Sequence, residues 1–330
     1  MNSRLLPEWS PVRAVMIAWP YPEGEWEGTY EEINACYQEI LKAFSNQVET
    51  WVLVHPSVEK IFNLLCQSFD NTNIHPITVA YNDTWVRDYG PLSLTSGFIS
   101  FQFNGWGAKY SSELDNEVNV KLASRFSSLQ ISSLVAEGGA LEINDDGILL
   151  ANKDCLLDKK RNPQLTDEAF LLQLKNELGI NEFALIENVA LSGDDTDGHI
   201  DTLARFVNNR HIVYCGTNPN HPDNDKLTSL QSQLRVLADR HAWQLTELPS
   251  PIVVDKVNDR VMAASYANFL LCNKAVFVPV YDVDEDDIAL VIFKKVFPEY
   301  AIIPIACRAL LAQNGSLHCA SMQLASAAWQ

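Results

Sequence analysis

Residues 193–207 read G-D-D-T-D-G-H-I-D-T-L-A-R-F-V. A polar turn punctuated by glycine runs straight into an apolar strand pattern at Leu203–Val207. Side chains alternate along a strand, so His199 and Asp201, two residues apart, are expected to share a face and enter one site together. The other reading is a solvated acidic turn or a calcium-type loop.

The same design recurs elsewhere: ionisable groups sit beside glycine at the edge of an apolar strand. T-W-V-R-D-Y-G-P at 84–91 places Asp88 beside Arg87, just before Gly90-Pro91. This is either an ion pair at a strand end or a carboxylate aimed into a cleft. A-E-G-G-A-L-E at 136–142 sets Glu137 before two glycines, where the backbone can come close to another group. A simple turn would read the same. N-G-S-L-H-C-A-S-M-Q at 314–323 puts Cys319 behind a small, flexible turn, as core filling or as a nucleophile.

Between these turns lie short apolar runs that predict strands at Val15–Trp19, Thr50–Val54, Phe98–Phe103, Gly147–Ala151, Ile212–Cys215, Phe269–Leu271 and Ala275–Val280. Helical spacing appears over Thr29–Phe44 and Val58–Phe69, after the Thr166 cap as far as Gly179, along Leu227–Leu237, and from Ile288 to the stop at Pro298. Asn116–Ser128 carries no clear pattern. The order strand, strand, helix, strand recurs about five times without a linker, which favours one α/β domain of repeated units over residues 1–330.

Composition narrows the function. The chain has 330 residues, 47% hydrophobic and 20% charged, with a net charge of -18. That charge disfavours nucleic acid or an anionic membrane as partner and suits a cationic small molecule. No apolar run approaches the ~18 residues of a spanning helix. The N-terminal stretch lacks a signal-peptide pattern. The seven cysteines are scattered without a C-x-x-C pair, so a reduced, cytoplasmic protein is expected.

The groups singled out in the four turns are one thiol, Cys319, one imidazole, His199, and three carboxylates, Asp88, Glu137 and Asp201. A serine-hydrolase triad needs one carboxylate, and a zinc site would want more histidines than His199 and His318. Several carboxylates make sense if the substrate carries a delocalised cation. A guanidinium is planar and its fork of N–H donors matches paired carboxylates. Its central carbon can accept a thiolate once held and polarised.

With these residues in place the chain resembles the agmatine deiminase and bacterial-type peptidylarginine deiminase family, of the guanidine-modifying (pentein) superfamily. The likeness runs along nearly the whole chain: P-E-W-S-P, M-I-A-W-P, W-V-R-D-Y-G-P, F-N-G-W-G-A-K-Y at 103–110, E-G-G-A-L-E, C-L-L-D-K-K-R-N-P at 155–163, D-T-D-G-H-I-D, A-S-Y-A-N-F at 264–269 and L-H-C-A-S-M-Q. The resemblance implies a five-bladed α/β propeller with pseudo-five-fold symmetry. It implies Cys319 as nucleophile, His199 as general acid/base, Glu137 orienting His199, and Asp88 and Asp201 holding the guanidinium. Trp85 and Trp106 would wall the substrate's alkyl arm, and neither metal nor other cofactor is implied.

The implied reaction is deimination of agmatine to N-carbamoylputrescine and ammonia, within polyamine metabolism, through a covalent amidino-thioether. The alternatives are another alkylguanidine, peptidylarginine, a non-catalytic binding member of the superfamily, and a metal amidohydrolase built on His199 and Asp201. The expected partner is a small cationic guanidine, not nucleic acid or membrane; a homo-oligomer is compatible with the sequence. The chain departs from the family's usual G-G-G-N-I-H-C, reading Q-N-G-S-L-H-C, so Gln313 and Asn314 stand where glycines are usual and Ser321 where threonine is.

Overall fold

The computed structural model describes residues 3–24, 26–69, 71–255 and 258–329. Five mixed sheets repeat one plan. A strand pairs antiparallel with the next, and that strand pairs parallel, across a helix, with a third. The helices of the five crossovers are Tyr30–Ser45, Glu113–Lys121, Asp167–Leu178, Asn224–His241 and Glu285–Val296. A parallel pair needs such a crossover, because a hairpin cannot reverse the chain twice.

Four blades are contiguous in sequence. They run Leu92–Leu94, Gly97–Gln102, Leu129–Val135; Glu142–Ile143, Ile148–Asn152, Glu182–Ile186; Ala204–Asn208, His211–Cys215, Gln244–Leu248; and Leu270–Cys272, Ala275–Val280, Ala301–Ala306. The remaining blade closes the ring. Its first strand is the C-terminal Ser321–Ala325, antiparallel to Val12–Ala18, which is followed in parallel by Glu49–Val54 and an added fourth strand, Ile74–Thr78. The architecture is the five-bladed α/β propeller expected from the sequence.

The predicted strands are found with shifts of a few residues. The strands that sequence reading passed over include the third strands of four blades. Gln244–Leu248 faces solvent over much of its length and lacks the continuous apolar run that marks a strand buried on both faces, whereas Ala301–Ala306 is apolar throughout but carries Pro304, which reads against a strand. Glu49–Val54 is legible because Ile74–Thr78 covers its edge. The unpatterned stretch forms the helix Glu113–Lys121 and a short 3-10 turn at Ala123–Arg125. Thr166 caps its helix by accepting from the Ala169 N–H, and Gly179 ends it at φ +62°.

Five connections join the blades, at residues 79–91, 136–141, 187–203, 249–269 and 307–320. All of them meet at one place, and they carry almost all of the polar chemistry.

Candidate active site

Each connection delivers its side chain by a local device. The first ends in a short helix, Val86–Tyr89, broken at Gly90, so Asp88 projects from a helical turn and not from the strand end anticipated above. The second is the 3-10 turn Gly138–Ala140, with Glu137 at its head. Here the paired glycines are required by space. A Cβ on Gly139 would lie 2.6 Å from His199 Nδ1, 2.9 Å from Asp88 Oδ1 and 3.1 Å from Asp201 Oδ2.

The third connection corrects the strand argument for His199 and Asp201. Residues Ile200–Thr202 form a 3-10 turn with His199 at its N-cap, and the strand begins only at Ala204. Gly198, at φ +89°, and a run of turn bonds to Asp194 tighten the backbone, so the two side chains converge through a turn and not through strand alternation. The fifth connection ends the 3-10 turn Leu310–Gln313 at Asn314, whose φ of +65° is the left-handed geometry that asparagine tolerates. Gln313 needs no such angle.

The residues the sequence singled out come together. His199 Nε2 lies 3.4 Å from Glu137 Oε2, and Nδ1 lies 3.5 Å from Asp88 Oδ1. The Cys319 thiol donates toward Asp201 Oδ2 at 3.7 Å. Asp88 accepts from the Gly139 N–H at 3.0 Å and from Trp106 Nε1 at 2.9 Å. Trp106 is therefore a hydrogen-bond donor to the site as well as a wall. It sits at φ +54°, in a left-handed stretch shared with Gly105, Gly107 and Ala108. Trp85, Asp88, Trp106 and Cys319 all line one cleft with about 470 Å³ of open space, which Tyr110, Asp194, Asp195 and Asn314 also border.

Three residues were missed as site members. Asn268, from the fourth connection, donates to Cys319 Sγ at 3.2 Å and accepts from the backbone N–H of His318 at 2.9 Å. Five-fold repetition itself was the available signal, since a fourth connection should contribute as the others do. Arg161, from C-L-L-D-K-K-R-N-P, donates to both oxygens of Glu137 at 2.8 Å. Cys155, from the same motif, donates to Glu137 Oε2 at 3.7 Å and is fully buried.

The electrostatics follow from burial among these charges. Burial pushes the Cys319 thiol well up, and the Asp201 and Asp88 carboxylates add to it. Burial also lifts Asp88, to about 6, against the opposing pull of His199. Burial works against a charge on His199, but Asp88, then Cys155 and Glu137, outweigh it and raise its proton affinity well above the usual imidazole range. Glu137 is lowered despite burial, chiefly by Arg161. Asp201 is lowered despite burial by the hydrogen bond from His318.

The Glu137, Cys155 and His199 ligand atoms all lie within 4.8 Å of one another, close enough for a metal ion. Arg161 already gives that carboxylate a positive partner. Among the described residues, two buried atoms of the cluster lack any hydrogen-bond partner in the protein: His199 Nδ1 and Asp201 Oδ1. Buried polar atoms are rarely left unpaired, and an acceptor such as Asp201 Oδ1 suits a ligand's N–H.

The thiol, the imidazole and the clustered carboxylates meet where the connections of the five-bladed propeller converge. The chain belongs to the Porphyromonas-type peptidyl-arginine deiminase family, whose sequence profile matches residues 4–325. A Vibrio parahaemolyticus protein provisionally named an agmatine deiminase is 29% identical, over 96% of this chain and 95% of its own. The structure of a cysteine-to-serine variant of C. jejuni agmatine deiminase with substrate bound is 32% identical, with a TM-score of 0.90 over 97% of this chain and 96% of that one. A Porphyromonas gingivalis structure, provisionally an arginine deiminase, is 35% identical with a TM-score of 0.89 over 99% of each chain. Among the described residues no helix is long and apolar enough to cross a membrane.

Proposed function

We propose that this chain, acting as a single domain in the cytoplasm, deiminates agmatine to N-carbamoylputrescine and ammonia through Cys319. The observation that carries the reading is the cleft that Cys319 borders together with Asp88, Trp85, Trp106 and Asp195. A thiol meets a carboxylate and two indole walls there, with Asp83, Asp194 and Asp195 on the same cleft. Agmatine is a guanidinium joined by an apolar arm to an ammonium, and it has a feature for each kind of group. The Asp195 carboxylate accepts from Tyr110 and Asn314, both neutral donors, while its backbone carbonyl accepts from Lys109 Nζ, and the carboxylate is the group we assign to the ammonium. The substrate-bound C. jejuni cysteine variant supports the choice of substrate and a cysteine-dependent reaction.

Asp88 and the free oxygen of Asp201 would hold the guanidinium nitrogens and orient the central carbon toward Sγ. The Cys319 thiolate attacks that carbon. His199, kept protonated by its carboxylate neighbours, gives its proton to the departing nitrogen, and ammonia leaves. The amidino-thioether remains on Cys319. His199, now neutral, takes a proton from water as water attacks the same carbon, and the ureido product is released. Glu137, fixed by Arg161, orients His199. The incoming cation also offsets the carboxylates that hold the free thiol protonated, so the thiol gives its proton to solvent before attack, and the thiolate expelled with the ureido product takes up the second proton of the attacking water.

A second reading is favoured by one observation: Cys155, His199 and Glu137 also form a thiol–imidazole–carboxylate cluster. Cys155 is fully buried and does not border the cleft, whereas Cys319 does.

The test is ammonia release from agmatine, free arginine and an arginine peptide by wild type, Cys319→Ala and Cys155→Ala. Release from agmatine alone, abolished only by the Cys319 substitution, supports the proposal. Loss only in Cys155→Ala would reverse the assignment of the nucleophile, and release from the peptide would move the substrate to protein arginine.

A further inference from the structure

His318 precedes the proposed nucleophile and plays no part in the steps above. It is buried, and both of its ring nitrogens face carboxylates. Nδ1 lies 2.7 Å from Asp201 Oδ2 and Nε2 lies 2.7 Å from Glu8 Oε1. Glu8 belongs to the segment that precedes the propeller's Val12–Ala18 strand, and its side chain reaches under the fifth connection. There it accepts from Gln323 Nε2 at 2.8 Å, from Arg87 Nη1 at 3.2 Å and from Arg205. Arg205 is fully buried and donates to Glu142 Oε2 at 2.6 Å. Glu8 also borders a second cavity, which shares no lining residue with the cleft of Cys319.

Counting protons gives this geometry its meaning. A neutral imidazole has one N–H, which can serve only one of two carboxylates. The second contact at 2.7 Å requires a further proton between the three groups. Without it, a ring lone pair would face a carboxylate lone pair in a buried site, where such repulsion is poorly screened. The consequence reaches the substrate. His318 occupies Oδ2 of Asp201, and Oδ1 is the oxygen left unpartnered.

We propose that Glu8 and His318 are positioning residues for the deimination: Glu8 holds His318 doubly protonated, and His318 pins one oxygen of Asp201 so that the other meets the guanidinium. The inference rests on Asp201 being an anchor of the guanidinium. It assigns a purpose to the P-E-W-S-P segment, which lies outside the five connections. Burial, then Arg205 and Arg87, lower the proton affinity of His318 on balance, against the pull of Glu8 and Asp201. The case for the second proton is the pair of 2.7 Å contacts with carboxylates, and removing the Glu8 charge should release the proton on that side of the ring.

Two measurements on the full-length protein test this. In histidine-labelled 15N NMR of wild type, with His318→Gln for assignment, both ring nitrogens of His318 should be protonated at pH 7, and Glu8→Gln should turn the ring into a single neutral tautomer. An unprotonated ring nitrogen in wild type at pH 7 overturns the proposal. In ammonia release from agmatine, Glu8→Gln should raise KM about tenfold, the order expected when a charge-assisted contact loses its geometry. The basic limb of its kcat/KM profile should move to lower pH. If Glu8 merely supports the fold, apparent kcat falls with the active fraction while KM and the basic limb stay in place, and the proposal is lost although the deiminase reading stands. If wild type releases no ammonia, the deiminase reading fails and takes this proposal with it.

Discussion

Cys319 and Cys155 are a natural pair of controls. Each thiol donates toward a buried carboxylate oxygen at 3.7 Å, Cys319 to Asp201 and Cys155 to Glu137. Burial raises the proton affinity of both. They differ in what else surrounds them. Cys319 borders the cleft and receives a hydrogen bond from Asn268, a donor that stabilises a thiolate. Cys155 is sealed, with Arg161 turned toward the neighbouring Glu137. If Cys319 is the nucleophile as proposed, nearness to a carboxylate and an imidazole is insufficient to mark one. Access and a dedicated donor distinguish the two.

The largest expected effect tests that distinction directly. Cys319→Ala should lower kcat for ammonia release by at least about 10³-fold, as loss of a covalent nucleophile does. Intact-protein mass spectrometry of a slowed reaction should find the amidino adduct on Cys319; an adduct on Cys155 would erase the contrast. Asn268→Ala comes next, with a fall in kcat of about 10²-fold and little change in KM, because the lost donor acts on the developing thiolate. An unchanged kcat would show that access alone separates the thiols.

Arg161→Met should act mainly on stability. It leaves Glu137 buried beside Cys155 without its cation, at a cost of about 3 kcal/mol, readable by urea unfolding. Cys155→Ala should be the mildest of the substitutions. Activity should stay within about tenfold of wild type, with a stability loss of about 1–2 kcal/mol for the small cavity.

The last test concerns pH and Asp88. Its pKa in the folded protein is raised to about 6. A carboxyl raised in this way binds its proton more tightly folded than unfolded. Its contribution to stability is therefore greatest in acid, falls as pH rises from the ordinary value of ~3.9 to about 6, and is level above that. A guanidinium needs the ionised form. In Cys319→Ala, the thermal stabilisation given by agmatine should grow as pH rises through about 6 and then level off. Stabilisation independent of pH across that window would remove Asp88 from the guanidinium's partners. With the thiol intact, iodoacetamide labelling of Cys319 should start at lower pH when a guanidine ligand is bound, while Cys155 stays unlabelled.

Much of the site was legible because its chemistry sits in short, dense turns. Asp88, Glu137, His199, Asp201 and Cys319 could be read from ionisable groups next to glycine. The reasons were less legible than the residues. His199 and Asp201 converge through a 3-10 turn, and Asp88 projects from a helical turn, although a strand was expected at both places. Asn314 is legible as a left-handed residue, whereas its hydrogen bonds to Asp195 and from Arg260 are not.

The sequence by itself determined the repeated strand, strand, helix, strand order, since burial on both faces writes continuous apolar runs into the inner strands. It also determined the inventory of thiol, imidazole and carboxylates. Only the tertiary structure decided which groups meet. Closing the ring with Ser321–Ala325 against Val12–Ala18 brings five distant connections to one point. It sets Asn268 against Cys319, Arg161 against Glu137, and Glu8 against His318, 310 residues away. Local propensity is silent about such pairs, because their energies exist only when the fold has removed water from between them.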